Sequence, residues 1–100
     1  MKLDTLRSRI LLKLSDFRLS IADLFIRLNG DISSTRLRQI LEELAWLGIV
    51  KKKKQVHPVF KSKVYFYYLT EDLRIKNEVL SKARECLAKN KTIHFYPKWL

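Results

Sequence analysis

Ser34–Val50, STRLRQILEELAWLGIV, decides the fold, because its hydrophobic period changes inside the last three residues. Leu37, Ile40, Leu41, Leu44 and Leu47 recur at helical spacing and give one helix a continuous apolar face. Gly48 ends that helix. From Ile49 to Val56 the pattern becomes that of a strand whose exposed positions are lysines. Either Ser33 or Ser34 can cap the helix start, since a hydroxyl there accepts from an otherwise orphaned backbone N–H.

Upstream, Ser20 and Asp23 form an S-x-x-D capping-box pattern that opens a short helix carrying Ala22, Leu24, Phe25, Ile26 and Leu28. Asn29-Gly30 stops it. Before that, Leu3, Leu6, Ile10, Leu11 and Leu14 predict a first amphipathic helix over Asp4–Asp16. Three helices, the last two joined by a tight turn, make a helix-turn-helix arrangement.

Downstream, His57-Pro58 interrupts the lysine strand, and Val64–Leu69 is rich in the aromatic and β-branched residues that favour a second strand. A loop of about half a dozen residues requires the two strands to pair as a hairpin. Thr70 or Asp72 can cap a fourth helix with Leu73, Val79, Leu80, Ala83, Cys86 and Leu87 on its apolar side, closing near Asn90. The following TIHFYPKWL carries Ile93, Phe95, Tyr96, Trp99 and Leu100, so this tail is expected to pack on its own domain or on a partner. The predicted class is α+β: residues 1–100 form one domain, with 88–100 a C-terminal packing extension.

Charge points to the partner. The chain has 21 Lys and Arg against 10 Asp and Glu in 100 residues, a net charge of +11 and a pI near 10.1. Residues 51–70 hold six of the positive charges and no acid, concentrated in Lys51–Lys63, KKKKQVHPVFKSK. A basic hairpin beside a helical pair fits a polyanion, and double-stranded DNA is the expected partner. Lys51 to Lys54 alternate in direction along a strand, so one pair can meet phosphates while the other faces away.

Other classes find little support. Cys86 is the lone cysteine, which excludes an intramolecular disulfide and fits a reducing, cytoplasmic setting. No uncharged run approaches the roughly 20 residues needed to span a bilayer, so neither a membrane segment nor a cleaved signal is expected. There is no Gly-rich phosphate loop and no H-x-x-x-H, C-x-x-C or G-x-S-x-G string. No enzymatic activity, cofactor or metal is therefore predicted. Glu42 and Glu43 diverge by about 100° on a helix and read as surface charges that limit nonspecific binding or pair with an arginine. His57 reads as a turn or surface residue with a backbone or minor-groove contact as its functional alternative, and His94 has no second ligand beside it.

The element order, the string Ser34–Val50 and the closing Tyr65–Thr70, YFYYLT, resemble the winged helix-turn-helix DNA-binding domains of bacterial and archaeal transcription regulators and of some archaeal viruses. The resemblance covers about residues 5–87, and it implies a wing made from the hairpin and a recognition helix that enters the major groove. With Leu37, Leu41 and Leu44 inward, Thr35, Arg38, Gln39, Glu42 and Trp46 turn outward. Thr35, Arg38 and Gln39 are then the candidates for base contacts, because Arg pairs bidentately with guanine and Gln with adenine. Ser33, Ser34 and Arg36, with Lys52, Lys54, Lys61 and Lys63 of the wing, are the candidates for phosphate contacts.

Three expectations concern apolar side chains. Trp46 is too large and too late on the helix for the groove floor, and burial against the first or fourth helix or in a dimer is expected. Tyr65, Tyr67 and Leu69 share one strand face and are expected in the core, whereas Phe66 and Tyr68 on the other face are expected at a dimer or tail contact. Leu73, Leu80, Ala83, Leu87, Phe95 and Trp99 are the candidates for a homodimer interface, since a chain of this length gains much from a partner. The alternative function is an architectural or interaction subunit that holds RNA, single-stranded DNA or a protein complex with the same fold and charge.

Overall fold

Four side chains set where the helices begin in the computed structural model, which describes residues 1–100. Asp4 accepts from Arg7 N at 2.8 Å and opens α1, Thr5–Asp16. Ser20 and Asp23 close a reciprocal capping box at the start of α2, Ile21–Arg27. Ser33, and not Ser34, caps α3, Ser34–Trp46, by accepting from Arg36 N at 3.1 Å. Each such cap contributes about 1 kcal/mol. Gly48 follows α3 at φ +80°, a conformation that costs a side chain strain, and lets the chain turn directly into a strand.

The two wing strands, here β2 (Val50–Val56) and β3 (Lys63–Leu69), pair antiparallel with Lys52 opposite Tyr67 and Lys54 opposite Tyr65. Leu19 exchanges backbone hydrogen bonds with Tyr67 at 3.0 and 2.8 Å, which holds the approach to α2 against the β3 edge. The fourth long element, α4 (Leu73–Lys89), is capped by Asp72 and packs along α1. A short strand before α1, β1 (Lys2–Leu3), pairs with β4 (Ile93–His94) beyond α4, an element pair that no periodicity in the sequence signals. Three helices, a two-stranded wing and a C-terminal helix together form a winged helix-turn-helix-like fold.

The core lies between α1, α3, α4 and the base of the wing, where Ile10, Leu11, Leu37, Leu41, Leu44, Ile49 and Ala83 are almost inaccessible. Burying a leucine of this kind contributes about 1.5–3 kcal/mol. The apolar stripe of α4 is used here. Leu80 and Ala83 are buried inside the monomer, Leu87 is half-buried, and Leu73, on the same stripe but in the first turn of α4, is exposed. The tail also packs on its own chain: Phe95 N donates to Met1 O at 3.1 Å, and Trp99 Nε1 donates to Leu47 O at 2.8 Å. That indole satisfies a carbonyl left open where α3 ends. No helix is long and apolar enough to cross a membrane.

Three expectations need correction. Trp46 is 82% exposed and is buried against neither α1 nor α4, because helical periodicity, not side-chain size, sets its direction; of the expected placements only a dimer contact is left open. Tyr65 is about half exposed while Tyr67 and Leu69 are buried; its ring faces the Lys52 and Lys54 ammonium groups rather than the core. Phe66 is buried and stacked beside His57, with centroids 5.7 Å apart, instead of serving an outer contact.

Candidate nucleic-acid interface

The outward face of α3 carries Thr35, Arg36, Arg38, Gln39 and Glu42, all exposed. Arg36 and Arg38 form no ion pair with any carboxylate of the chain. Ser34 and Thr35 are also exposed, whereas the Ser33 hydroxyl is used by the cap. A free amide and hydroxyl at this end of a helix suit an oxyanion.

On the wing, the register puts Lys52 and Lys54 on one face with Tyr65 and Tyr67. Lys52 Nζ lies 4.8 Å and Lys54 Nζ 5.7 Å from the Tyr65 ring centroid, so the phenol face lies against two ammonium groups. Lys51 and Lys53 occupy the opposite face, and all four are exposed. Lys61 and Lys63, at and after the tip, are exposed and unpaired.

Glu42 joins the two halves of this surface. Its Oε1 accepts from Lys52 Nζ at 3.2 Å and from the Tyr67 hydroxyl at 3.5 Å. The hydrogen bond and negative charge raise the Lys52 pKa above the ordinary lysine value. Burial, with the Glu42 charge next, raises that of Tyr67. Glu43, one residue on, turns toward α1 instead and accepts from Arg7 Nε at 2.7 Å. The sequence anticipates an arginine partner for these acids; Glu43 takes one, Arg7, whereas Glu42 pairs with Lys52.

His57 is the residue whose role sequence reasoning missed. It is only 4% exposed. Its Nε2 lies 3.2 and 3.3 Å from the two carboxylate oxygens of Asp23, and its Nδ1 accepts from Val59 N at 3.1 Å and Phe60 N at 3.3 Å. Those contacts assign the neutral tautomer with the proton on Nε2. The ring also stacks on Phe60 with centroids 4.3 Å apart. A buried imidazole therefore shapes the wing turn and ties it to α2. Burial pushes the Asp23 carboxyl up, but hydrogen bonds from His57 and Ser20 outweigh it and hold the group below its ordinary value. The signal in the sequence was the pairing of a lone turn histidine with a capping-box acid 34 residues away, which periodicity does not reveal.

No three His, Cys, Asp or Glu side chains gather as a metal-binding cluster. The groups brought together are those of an adhesive surface: unpaired cations, amide and hydroxyl donors, and aromatic faces. The architecture is of the nucleic-acid-binding type. A scan against protein-family models and searches of curated proteins and of solved structures found no match.

Proposed function

We propose that this protein binds double-stranded DNA noncatalytically and regulates transcription by occupying an operator or promoter, in the manner of the small archaeal and archaeal-virus regulators it resembles. The observation that carries this reading is that the N-terminal half of α3 and the adjoining wing both present cations the protein does not neutralise: Arg36 and Arg38 on the helix, Lys54, Lys61 and Lys63 on the wing. Arg38, Gln39 and Thr35 read base edges, while Ser34, Arg36, Lys52, Lys54, Lys61 and Lys63 hold phosphates. The Ser33 hydroxyl serves first as a cap and adds a phosphate contact from the same position.

Binding as a homodimer would set two recognition helices about 34–36 Å apart on successive major grooves and require inverted half-sites. Because Leu80 and Ala83 are buried in the monomer, the contact would draw on what is left exposed, Leu73 on α4 and Leu100 in the tail, with Leu87, Phe95 and Trp99 partly accessible beside them. Light scattering during gel filtration should then report twice the 12.0 kDa chain mass at tens of micromolar. A full-length protein that stays monomeric would confine the tail to its packing within one chain.

Competition of unlabelled duplex DNA, structured RNA and single-stranded DNA against one labelled duplex tests the reading. Preference for one duplex sequence supports it. Equal competition by all three assigns the surface to the alternative role of an architectural subunit.

A further inference from the structure

A notch of about 260 Å³ opens between α3, the first turn of α2 and the wing. Ile21, Phe60, Val64, Tyr65 and Tyr67 make its walls apolar and aromatic, and Arg38 is its one charged lining residue. An engineered protein cavity of about 150 Å³ accommodates benzene, so this volume admits a planar system of one or two rings. Arg38 has no ion-pair partner, which leaves its guanidinium free to take an anion at the wall. Lys54 lies 5.7 Å from the Tyr65 ring centroid, outside the lining, and adds positive potential near that wall, whereas Lys52 is held by Glu42. The ligand chemistry that fits is a flat heteroaromatic ring joined to a phosphate.

We propose that this notch is a nucleotide-binding site: the base enters between Phe60, Val64 and Tyr65, and the phosphate is held by Arg38, the one cation in the lining. Base-on-aromatic contact supplies sequence-tolerant affinity, and a free phosphate-bearing nucleotide or an extrahelical nucleotide of a DNA strand presents the same group. Because Arg38 serves both this site and the proposed base reading, a free nucleotide bound here competes with duplex for that side chain. Occupancy of the notch does not itself require that the duplex be read in sequence, so the two proposals fail separately.

The test titrates the full chain with adenosine monophosphate, and separately with inorganic phosphate, by calorimetry and by NMR at low salt. Saturable binding of the nucleotide should shift Val64 and Tyr65 resonances, and inorganic phosphate should not reproduce those shifts. Tyr65→Ala should weaken binding about fivefold or more, with Tyr65→Phe retaining the affinity. Arg38→Ala should weaken it further, and Lys13→Ala, a remote exposed lysine, should leave it unchanged. A second arm compares a perfect duplex with the same duplex carrying one extrahelical adenosine. Nucleotide binding with displacement of duplex identifies a free nucleotide as the ligand; no nucleotide binding but a fivefold or greater preference for the bulged duplex, abolished in Tyr65→Ala, identifies the strand. Equal binding of nucleotide and phosphate without shifts at Val64 and Tyr65, or no preference in either arm, overturns the proposal. Sequence-selective binding of the perfect duplex in that case leaves the DNA-binding reading intact.

Discussion

Arg7 Nε donates to Glu43 Oε2 at 2.7 Å and so fastens α1 to the C-terminal half of α3 across 36 residues of chain. Arg7 also reaches Asp4 Oδ2 at 2.7 Å, and its side chain is only 10% exposed. The hydrogen bond to Glu43 raises the arginine pKa against the opposing effect of burial. The outward pitch of α3 thus depends partly on one buried guanidinium.

Arg7→Ala should cost about 2–4 kcal/mol, because it leaves two carboxylates without their partner and empties a packed site. Glu43→Gln should cost about 1 kcal/mol, since Glu43 is half exposed and Asp4 still holds the arginine. Urea unfolding of both variants measures this. Equal, negligible losses would show that helix packing alone sets the position of α3.

His57→Ala should loosen the wing turn without unfolding the helices. Hydrogen exchange at Val59 and Phe60 should accelerate by at least about tenfold relative to amides of α1, since each loses the imidazole acceptor. Unchanged exchange at those two amides would mean that the turn is held by its backbone alone.

Asp23 supplies a pH dependence with a definite sign. Its folded pKa lies below the ordinary 3.8, so the unfolded chain binds more protons in that range. The stabilisation is complete above the ordinary value and is lost as pH falls through the folded one. Between about pH 5 and pH 2, the wild type should lose more stability than Asp23→Asn, as followed by chemical unfolding at each pH. Parallel pH profiles would reject the assigned shift.

Much of this surface was legible in the sequence, and the exceptions share one physical cause. The helix starts near Asp4 and at Ser20, the breaks at Gly30 and Gly48, and the pairing of the two strands as a hairpin are local, and local chemistry decides them; the register and the choice of Asp72 over Thr70 as the α4 cap came from the structure. The outward set on α3 followed from the inward Leu37, Leu41 and Leu44. The buried role of His57 and the specific partners of Glu43 and Trp99 were not legible, because each is settled far along the chain, by Asp23, Arg7 and the Leu47 carbonyl. The stripe of α4 was visible but ambiguous, since an apolar helix face looks the same whether α1 or a second copy covers it.

Replacing Lys52, Lys54, Lys61 and Lys63 with Ala should weaken specific and random duplexes by similar factors. The slope of log affinity against log salt should fall by about 0.9 for every phosphate that the variant no longer neutralises. Lys52 should contribute least to that change, because Glu42 must first release it. An unchanged slope in the folded quadruple variant would remove the wing from the DNA-binding surface.

Site selection from random duplex DNA, performed on wild type, Arg38→Ala and Gln39→Ala, tests the DNA-reading surface most directly. The wild type should enrich one sequence, and each variant should lose about 1–3 kcal/mol of preference at its own base position while binding random duplex almost as before. A wild type that enriches nothing, or variants that keep the full preference, would contradict the assignment of α3 as the reading helix.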